Sequence, residues 1–331
     1  MPYSREREVA VQAVLKASRL CQVVQANLVS DESMSKKDRS PVTVADFGAQ
    51  AVVTHDLRRV FPDTPMVGEE DAAELRDPAN SLLRDKVVAH VREIEAGLGP
   101  AEILDLIDLG THQGGGRGRH FTLDPIDGTK GFLRLDQYAV ALGLIEDGQV
   151  VLGVLGCPNM PSGAAGSDGK EGKGCLFIAV RGQGATVRTL DDASETPISV
   201  TAIDDPAQAS FCESVEKAHS SQSDSAKVAE LLGITSPPFR IDSQCKYGAV
   251  ARGDASVYLR LPTRPDYEEK IWDHAAGSIV ITEAGGRVTD VNGVDLDFSL
   301  GRTLKDNKGV IVTNGLLHDR VLAAVKDVLG L

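Results

Sequence analysis

Aspartates at a turn are the first candidates for chemistry in this sequence. The string LDPIDGT at residues 123–129 places Asp124 and Asp127 three residues apart at the end of an apolar run, where Pro125 and Gly128 make the chain turn. Such a turn can direct both carboxylates and an intervening carbonyl at one point, and oxygen ligands of this kind suit hard divalent cations. The string also fits an Asx-type turn with solvated carboxylates, so both interpretations stay open.

Three further acidic clusters occur along the chain. Asp46 ends the string VTVAD near the start of an amphipathic segment, Glu69 belongs to GEED at residues 68–71, and Asp273 lies in WDHAAG at residues 272–277. Each has an ordinary structural explanation, respectively complementation of a helix dipole, a solvated loop and a helix N-cap. Four such clusters in one chain are harder to explain in this way and favour a shared site.

Composition limits the partners. The 331 residues include 35 Lys and Arg against 48 Asp and Glu, a formal net charge of −13. Such a surface repels nucleic acid and anionic membranes, so we expect neither as a partner, and an anionic substrate would need local cations or a bound metal. No apolar run approaches the ~20 residues of a membrane helix, and residues 1–9 do not resemble a signal peptide. We expect a cytoplasmic protein, or one of an organelle stroma or matrix after loss of a transit peptide, and not a secreted one.

The cysteines are odd in number and widely spaced, with no CxxC pair: Cys21, Cys157, Cys175, Cys212 and Cys245. This pattern argues against a disulfide framework and against a Cys-type zinc site. We therefore expect free thiols in a reducing compartment.

Hydrophobic spacing predicts the elements that must position the acidic residues. Helices are predicted at residues 8–28, 44–60, 81–96, 225–232, 273–284 and 316–329. Strands are predicted at residues 66–68, 120–123, 138–146, 150–156, 176–180, 185–190, 210–214, 239–242, 257–261 and 310–313, and an exposed loop at 161–174. This order indicates α+β or α/β layers, with an N-terminal part at residues 1–195 and a C-terminal part at residues 196–331.

The four acidic strings, together with EAGG at residues 283–286, resemble the magnesium-dependent, lithium-sensitive phosphatases of the inositol monophosphatase superfamily, over nearly the whole chain. Finer strings are similar to the 3′(2′),5′-bisphosphate nucleotidases, closest to their plant and algal members: KGFLR (130–134), QYAVALG (137–143), AHS (218–220), DSQCKYG (242–248), YLR (258–260) and EKIWDH (269–274). The resemblance implies the layered α-β-α-β-α sandwich of the inositol monophosphatase and fructose-1,6-bisphosphatase type, with the site between the two parts.

The resemblance also implies a site built around metal ions. Two to three Mg²⁺ ions are expected, with Asp46 and Thr129 as catalytic residues that orient the attacking water. The expected metal ligands are the carboxylates of Glu69, Asp124, Asp127 and Asp273 and the main-chain carbonyl of Ile126.

The resemblance implies separate contacts for the substrate. Gly128 and Thr129 would contact the phosphate that is cleaved, and His219 and Ser220 would lie beside the nucleotide. Ser243, Lys246 and Arg260 would clamp the substrate and its 5′-phosphate, with Tyr247 nearby. The implied reaction removes the 3′-phosphate of 3′-phosphoadenosine 5′-phosphate to give AMP and phosphate, and acts also on 3′-phosphoadenosine 5′-phosphosulfate. It links the protein to sulfur assimilation.

Alternative functions remain at this point. An inositol monophosphatase or an inositol polyphosphate 1-phosphatase would share the acidic residues. A nucleotidase could also have a side activity on inositol 1,4-bisphosphate. The strings DSQCKYG, YLR and EKIWDHAAG favour the nucleotidase. A catalytically silent nucleotide-binding sensor is a more remote alternative. We expect a monomer that acts on a small molecule.

Overall fold

The computed structural model describes residues 2–30, 40–163, 172–215, 220–264 and 266–331. Its α-helices are α1 (Ser4–Ser30), α2 (Ser40–Val60), α3 (Ala73–Arg76), α4 (Ser81–Ile94), α5 (Pro100–Asp108), α6 (Thr129–Leu133), α7 (Gln222–Leu231), α8 (Cys245–Arg252), α9 (Ala275–Glu283) and α10 (His318–Leu329). Its strands are β1 (Met66–Gly68), β2 (Arg119–Asp127), β3 (Ala139–Glu146), β4 (Gln149–Pro161), β5 (Lys173–Val180), β6 (Ala185–Thr189), β7 (Thr196–Ile198), β8 (Phe211–Glu213), β9 (Phe239–Arg240), β10 (Val257–Arg260), β11 (Arg287–Thr289) and β12 (Val310–Thr313).

The strands form two sheets. The first has the order β1-β2-β3-β4-β5-β6-β7, in which β1 and β2 run parallel and the other neighbours run antiparallel. The second has the order β11-β12-β10-β8-β9. The chain passes from one sheet to the other between Ile198 and Phe211. The division of the chain into two domains, residues 1–195 and 196–331, stays a prediction.

The two sheets are the second and fourth of five layers. Val140 and Leu142 of β3 pack into one core with α1 and α2, while their neighbours Ala139 and Ala141 pack on the opposite face with α8 and α9. The second sheet covers the other side of that helix pair, and its outer face packs against α7 and α10. The predicted α-β-α-β-α sandwich is therefore confirmed.

Burial on both faces explains the composition of the central strands. β3 reads Ala-Val-Ala-Leu-Gly-Leu-Ile without a polar residue before Glu146, as expected for a strand with no solvent-facing side. Small residues are needed where α9 crosses the sheet: a Cβ at Gly153 would lie 2.4 Å from Cγ2 of Ile279.

Some predicted features differ from the structure or lie outside its described part. Asp273 ends a 3₁₀ helix (Ile271–Asp273), and α9 begins only at Ala275, so Asp273 is not the N-cap of that helix. Most of the predicted 161–174 loop lies outside the described residues, and β5 already begins at Lys173. In the described part of the chain, no helix combines the length and apolar character needed to cross a membrane.

Candidate active site

A bulge in β2 brings Asp124 and Asp127 to the same cleft. Residues three apart in a regular strand point to opposite faces of the sheet. Here Asp124 pairs with Ala141 of β3 and Asp127 pairs with Ala139, so three steps along β2 match two along β3. The extra residue restores both carboxylates to one side.

Ile126 shares this cleft although its side chain is only 1% exposed and packs in the core with α1 and α2. Its contribution to the cleft is therefore its main chain. This arrangement explains why an apolar residue lies between two acidic ones.

Glu69 and Asp273 complete the acidic end of the cleft. β1 pairs with β2 in a register that sets Gly68 opposite Leu123, and the Glu69 amide donates to the Leu123 carbonyl at 3.2 Å. Because Gly68 is opposite Leu123, the next residues along the two chains, Glu69 and Asp124, come at the same level of the sheet. Asp273 enters from the end of the 3₁₀ helix. The cleft has a volume of about 500 Å³, enough for a small organic ligand.

Like charges and lost hydration raise the pKa of these carboxyls. The pKa of Asp124 lies well above its usual range because of burial and repulsion from Glu69 and Asp127. Loss of hydration and repulsion from Asp273 raise the pKa of Glu69 to about 8, even though Glu69 is exposed at the cleft. Burial and Asp273 also raise the pKa of Asp127, although Lys246 and Arg260 oppose this shift.

Asp46 lies behind this group on α2. It is 6% exposed, its Oδ1 atom is buried and has no hydrogen-bond partner, and it does not line the cleft. Burial, followed by repulsion from Glu70 and Glu69, raises its pKa well above the ordinary value. Asp124 Oδ1 is likewise buried without a partner. Unpartnered carboxylate oxygens among like charges fit a divalent cation, which would supply both the missing partner and the missing charge.

Gly128 lines both the acidic cleft and a narrow extension of it, and Ser243 lines the extension. Both have left-handed backbone, with φ of +92° and +65°, and a Cβ at Gly128 would lie 2.9 Å from that of Ser243. Lys246, Tyr247 and Arg260 line the extension, which has a volume of about 20 Å³. That is enough for about one water molecule and too small for a phosphate group.

Lys246 is buried instead of lying on a helix surface. It is 3% exposed, its Nζ donates to the Ser243 carbonyl at 2.8 Å and lies 5.1 Å from the centroid of the Tyr258 ring. Burial lowers its pKa, whereas the nearby Asp127 opposes that shift. The Lys246 side chain therefore lies near Asp127, at the acidic end of the cleft.

Arg260 is paired with two carboxylates. Its Nε lies 3.0 Å from Glu269 Oε1, and its Nη2 lies 2.7 Å from Glu269 Oε2 and 3.1 Å from Asp273 Oδ2. Glu269 also bonds to His274 Nε2 at 3.1 Å, and Tyr247 OH bonds to His274 Nδ1 at 2.7 Å. Glu269, Asp273 and His274 approach within 4.8 Å of one another, but these bonds make them a hydrogen-bonded network.

The remaining predicted residues differ in their access to the cleft. Thr129 is exposed beside it, and Tyr247 is 1% exposed with its hydroxyl already bonded to His274. Ser220 is buried, and its Oγ donates to the Leu259 carbonyl at 3.2 Å and accepts from the Leu261 amide at 3.0 Å. His219 lies outside the described residues.

Several residues that also line the cleft were not identified from the sequence: Pro262, Thr263, Arg264, Tyr267 and Lys308. No motif marks them, because they enter the cleft from a connection after β10 and from the loop before β12. Glu269 was part of a recognised string, but its charge gave no indication that it pairs with Arg260.

The family follows from comparison with known proteins. The model of the inositol monophosphatase family matches residues 3–329. The chain belongs to the inositol monophosphatase family. Among curated members, it is 49% identical to a protein of Emericella nidulans over 100% of both chains, 49% identical to one of Oryza sativa (98% of this chain, 95% of the relative) and 47% identical to one of Arabidopsis thaliana (99% and 97%). The first two are named 3′(2′),5′-bisphosphate nucleotidase and the third 3′(2′),5′-bisphosphate nucleotidase 1.

Solved structures of the family share the fold. Inositol monophosphatase from Anabaena (Nostoc) sp. PCC 7120 is 20% identical with a TM-score of 0.62, and the match covers 98% of this chain and 95% of that one. The Thermotoga maritima inositol monophosphatase is also 20% identical, with a TM-score of 0.61 and coverage of 98% and 97%. At these identities the likeness concerns the fold alone.

Proposed function

We propose that the protein is a metal-dependent 3′(2′),5′-bisphosphate nucleotidase that removes the 3′-phosphate of 3′-phosphoadenosine 5′-phosphate, giving AMP and phosphate. The observation that supports phosphatase chemistry is the convergence of Glu69, Asp124, Asp127 and Asp273 on one cleft. The choice of substrate is supported by full-length identity of 47–49% to relatives that bear this name. This identity favours the nucleotidase over the inositol phosphatases and the silent sensor.

The reaction joins a water oxygen to phosphorus and breaks the bond between phosphorus and the ribose 3′-oxygen. The water gives up a proton and the leaving 3′-oxygen takes one. Two to three Mg²⁺ ions, held by the four cleft carboxylates and the Ile126 carbonyl, would neutralise the phosphoryl oxygens and favour ionisation of water. The Thr129 hydroxyl would orient the attacking water from the cleft, and Asp46, which lies behind the cleft, would act on it through a bound ion. The amide of Gly128 and the Thr129 hydroxyl contact the phosphate that is cleaved.

The second phosphate and the adenosine need contacts beyond the acidic end. We assign them to Ser243, Lys246 and Arg260, with His219, Ser220 and Tyr247 beside the nucleotide. Because the extension beside Lys246 holds only about one water, a phosphate can enter only if the Ser243 segment moves. Because Arg260 is already paired with Glu269 and Asp273, we expect Lys246 to contribute the larger part of the charge that selects a second phosphate.

The test is phosphate release by the purified chain with Mg²⁺. The substrates are 3′-phosphoadenosine 5′-phosphate, inositol 1,4-bisphosphate and inositol 1-phosphate at equal concentration, with EDTA and Asp127→Ala as controls. We expect kcat/KM for the nucleotide to be at least tenfold higher, which is about 1.4 kcal/mol of transition-state discrimination. Preference for an inositol phosphate would support the phosphatase activity but contradict the proposed contacts to the nucleotide. Nucleotide binding without turnover would favour the sensor.

A further inference from the structure

Arg302 lies in the loop between β11 and β12 and is attached to the segment that leads into Asp273. Its guanidinium carbon is 4.7 Å from the centroid of the Trp272 ring, a stacking distance. Its main-chain carbonyl accepts the amide of Ile271 at 3.1 Å. Both contacts lie within two residues of Asp273, so the position of Arg302 is tied to that carboxylate.

The same guanidinium reaches the segment that leads into Glu69. Nη2 donates to the Gly68 carbonyl at 2.6 Å, and Nη1 donates to the carbonyls of Gly110 and His112 at 3.1 and 3.0 Å. The Gly110 carbonyl also accepts the Gly68 amide at 2.8 Å. The peptide that joins Gly68 to Glu69 is therefore held on one side by β2 and on the other by Arg302.

We propose that Arg302 is a positioning residue that holds the Glu69 and Asp273 carboxylates, from distant parts of the chain, at the separation needed to bind ions together. The planar guanidinium suits this position because it can stack on an indole and donate in several in-plane directions at once. A lysine ammonium can do neither in the same geometry. The proposal rests on the proposed function, since it takes these carboxylates to be metal ligands.

A merely structural role for Arg302 makes a different prediction. If the side chain only stabilised the fold, its loss would lower the unfolding temperature but leave the metal affinity of the folded protein unchanged. A positioning role lowers the metal affinity of folded protein, and excess metal restores the lost activity. The two roles are therefore separable by measuring metal binding directly.

The experiment titrates Mn²⁺ into the full chain after EDTA treatment and dialysis, with the heat of binding as readout. The proteins are the wild type, Arg302→Lys, Arg302→Ala and the control Arg287→Ala. Arg287 does not line the cleft, and its exposed side chain lies 3.2 Å from the carboxylate of Asp319. We expect the Mn²⁺ dissociation constant to rise at least tenfold in both Arg302 variants and to stay unchanged in Arg287→Ala. In turnover assays, the Mg²⁺ concentration for half-maximal rate rises by a similar factor, and high Mg²⁺ restores most of kcat.

The outcomes separate this inference from the proposed function. A folded Arg302→Lys protein with the wild-type Mn²⁺ affinity overturns the positioning role, even if Arg302→Ala fails to fold. A wild type that binds no Mn²⁺ at all overturns the metal centre and the positioning role with it. Weaker binding in the lysine variant, with its unfolding temperature close to that of the wild type, supports the proposal.

Discussion

Asp46 on α2 combines burial, a missing hydrogen-bond partner and repulsion from Glu70 and Glu69, which follow β1. At the residue scale these properties indicate a group retained for activity at some cost to stability. The other carboxylate on the same helix is differently placed: Asp56 is buried too, but it pairs with Lys16 at 2.9 Å. Two aspartates of one helix thus allow activity and stability to be separated.

We expect Asp46→Asn to lower kcat by about 10²–10⁴, the usual effect of removing a group that handles protons or orients water. Its unfolding temperature in EDTA should not fall, because the amide cannot ionise and so escapes the burial cost and the repulsion from Glu70 and Glu69 that act on the carboxylate. The matched control Asp56→Asn should do the opposite: it keeps kcat and loses stability, because Lys16 loses a partner. Phosphate release and thermal unfolding measure both effects. Equal kcat in the two variants would contradict the role of Asp46.

The raised pKa of Glu69 makes the stability of the metal-free protein depend on pH. The folded carboxyl titrates at about 8 and the unfolded one near 4.5, so between these values the folded state binds more protons. That contribution is complete below about 4.5 and is lost as the pH rises through 8. We expect the unfolding temperature in EDTA to fall between about pH 5 and pH 8, and to fall less in Glu69→Gln. Parallel slopes for the two proteins would rule this out.

At the element scale, the turn after β2 depends on one glycine. Gly128 combines a φ of +92° with the close approach of Ser243, which itself has a φ of +65°. Elsewhere, Gly233 has a similar φ of +68° but no atom within 4 Å of the position of a Cβ. The two glycines therefore share the backbone requirement and differ in the steric one.

We expect Gly128→Ala to reduce kcat/KM at least tenfold and to lower stability by more than Gly233→Ala does. The control variant should lose only about 1 kcal/mol, the cost of left-handed backbone in an L-residue, and keep full activity. Urea unfolding and phosphate release measure the two effects. Similar losses of activity in both variants would show that backbone strain, not contact with Ser243, is responsible.

Elements with strong local patterns could be predicted from the sequence, and elements defined by distant partners could not. The apolar runs of β3 and β4 and the Asp147-Gly148 turn between them specify that hairpin locally. The short strands β7 and β11 were not predicted, because each has only three residues and is defined by pairing with its neighbours.

The same distinction applies to the site. The acidic strings predicted which carboxylates meet, and the resemblance predicted the fold. Nothing local predicted that Lys246 is buried against Tyr258, or that two carboxylates engage Arg260. These features depend on contacts between segments that are distant in sequence and meet only in the folded protein.

At the scale of the whole molecule, the acidic cleft joins the two sheets. Glu69 follows β1 and both Asp124 and Asp127 lie in β2 of the first sheet, whereas Asp273 precedes α9 in the layer between the sheets. A ligand bound by all four would therefore link these segments directly through their carboxylates.

We expect Mg²⁺ at about one hundred times its dissociation constant to raise the unfolding temperature by roughly 5 °C, because binding to the folded state alone contributes about 2.7 kcal/mol. Asp273→Asn should remove most of this increase. Thermal unfolding with and without EDTA provides the measurement. A full increase in the variant would mean that the ions are held by the first sheet alone.

The contacts of Arg302 also determine when the cleft can form as the protein is made. Glu69 leaves the ribosome roughly 200 residues before Asp273, an interval of roughly 10–40 s at usual elongation rates. During this time the nascent chain exposes β1 and β2 without the helix pair that covers their sheet or the side chain that holds Glu69. The four carboxylates of the cleft thus come together only among the last events of synthesis, after Asp273 and Arg302 have been made.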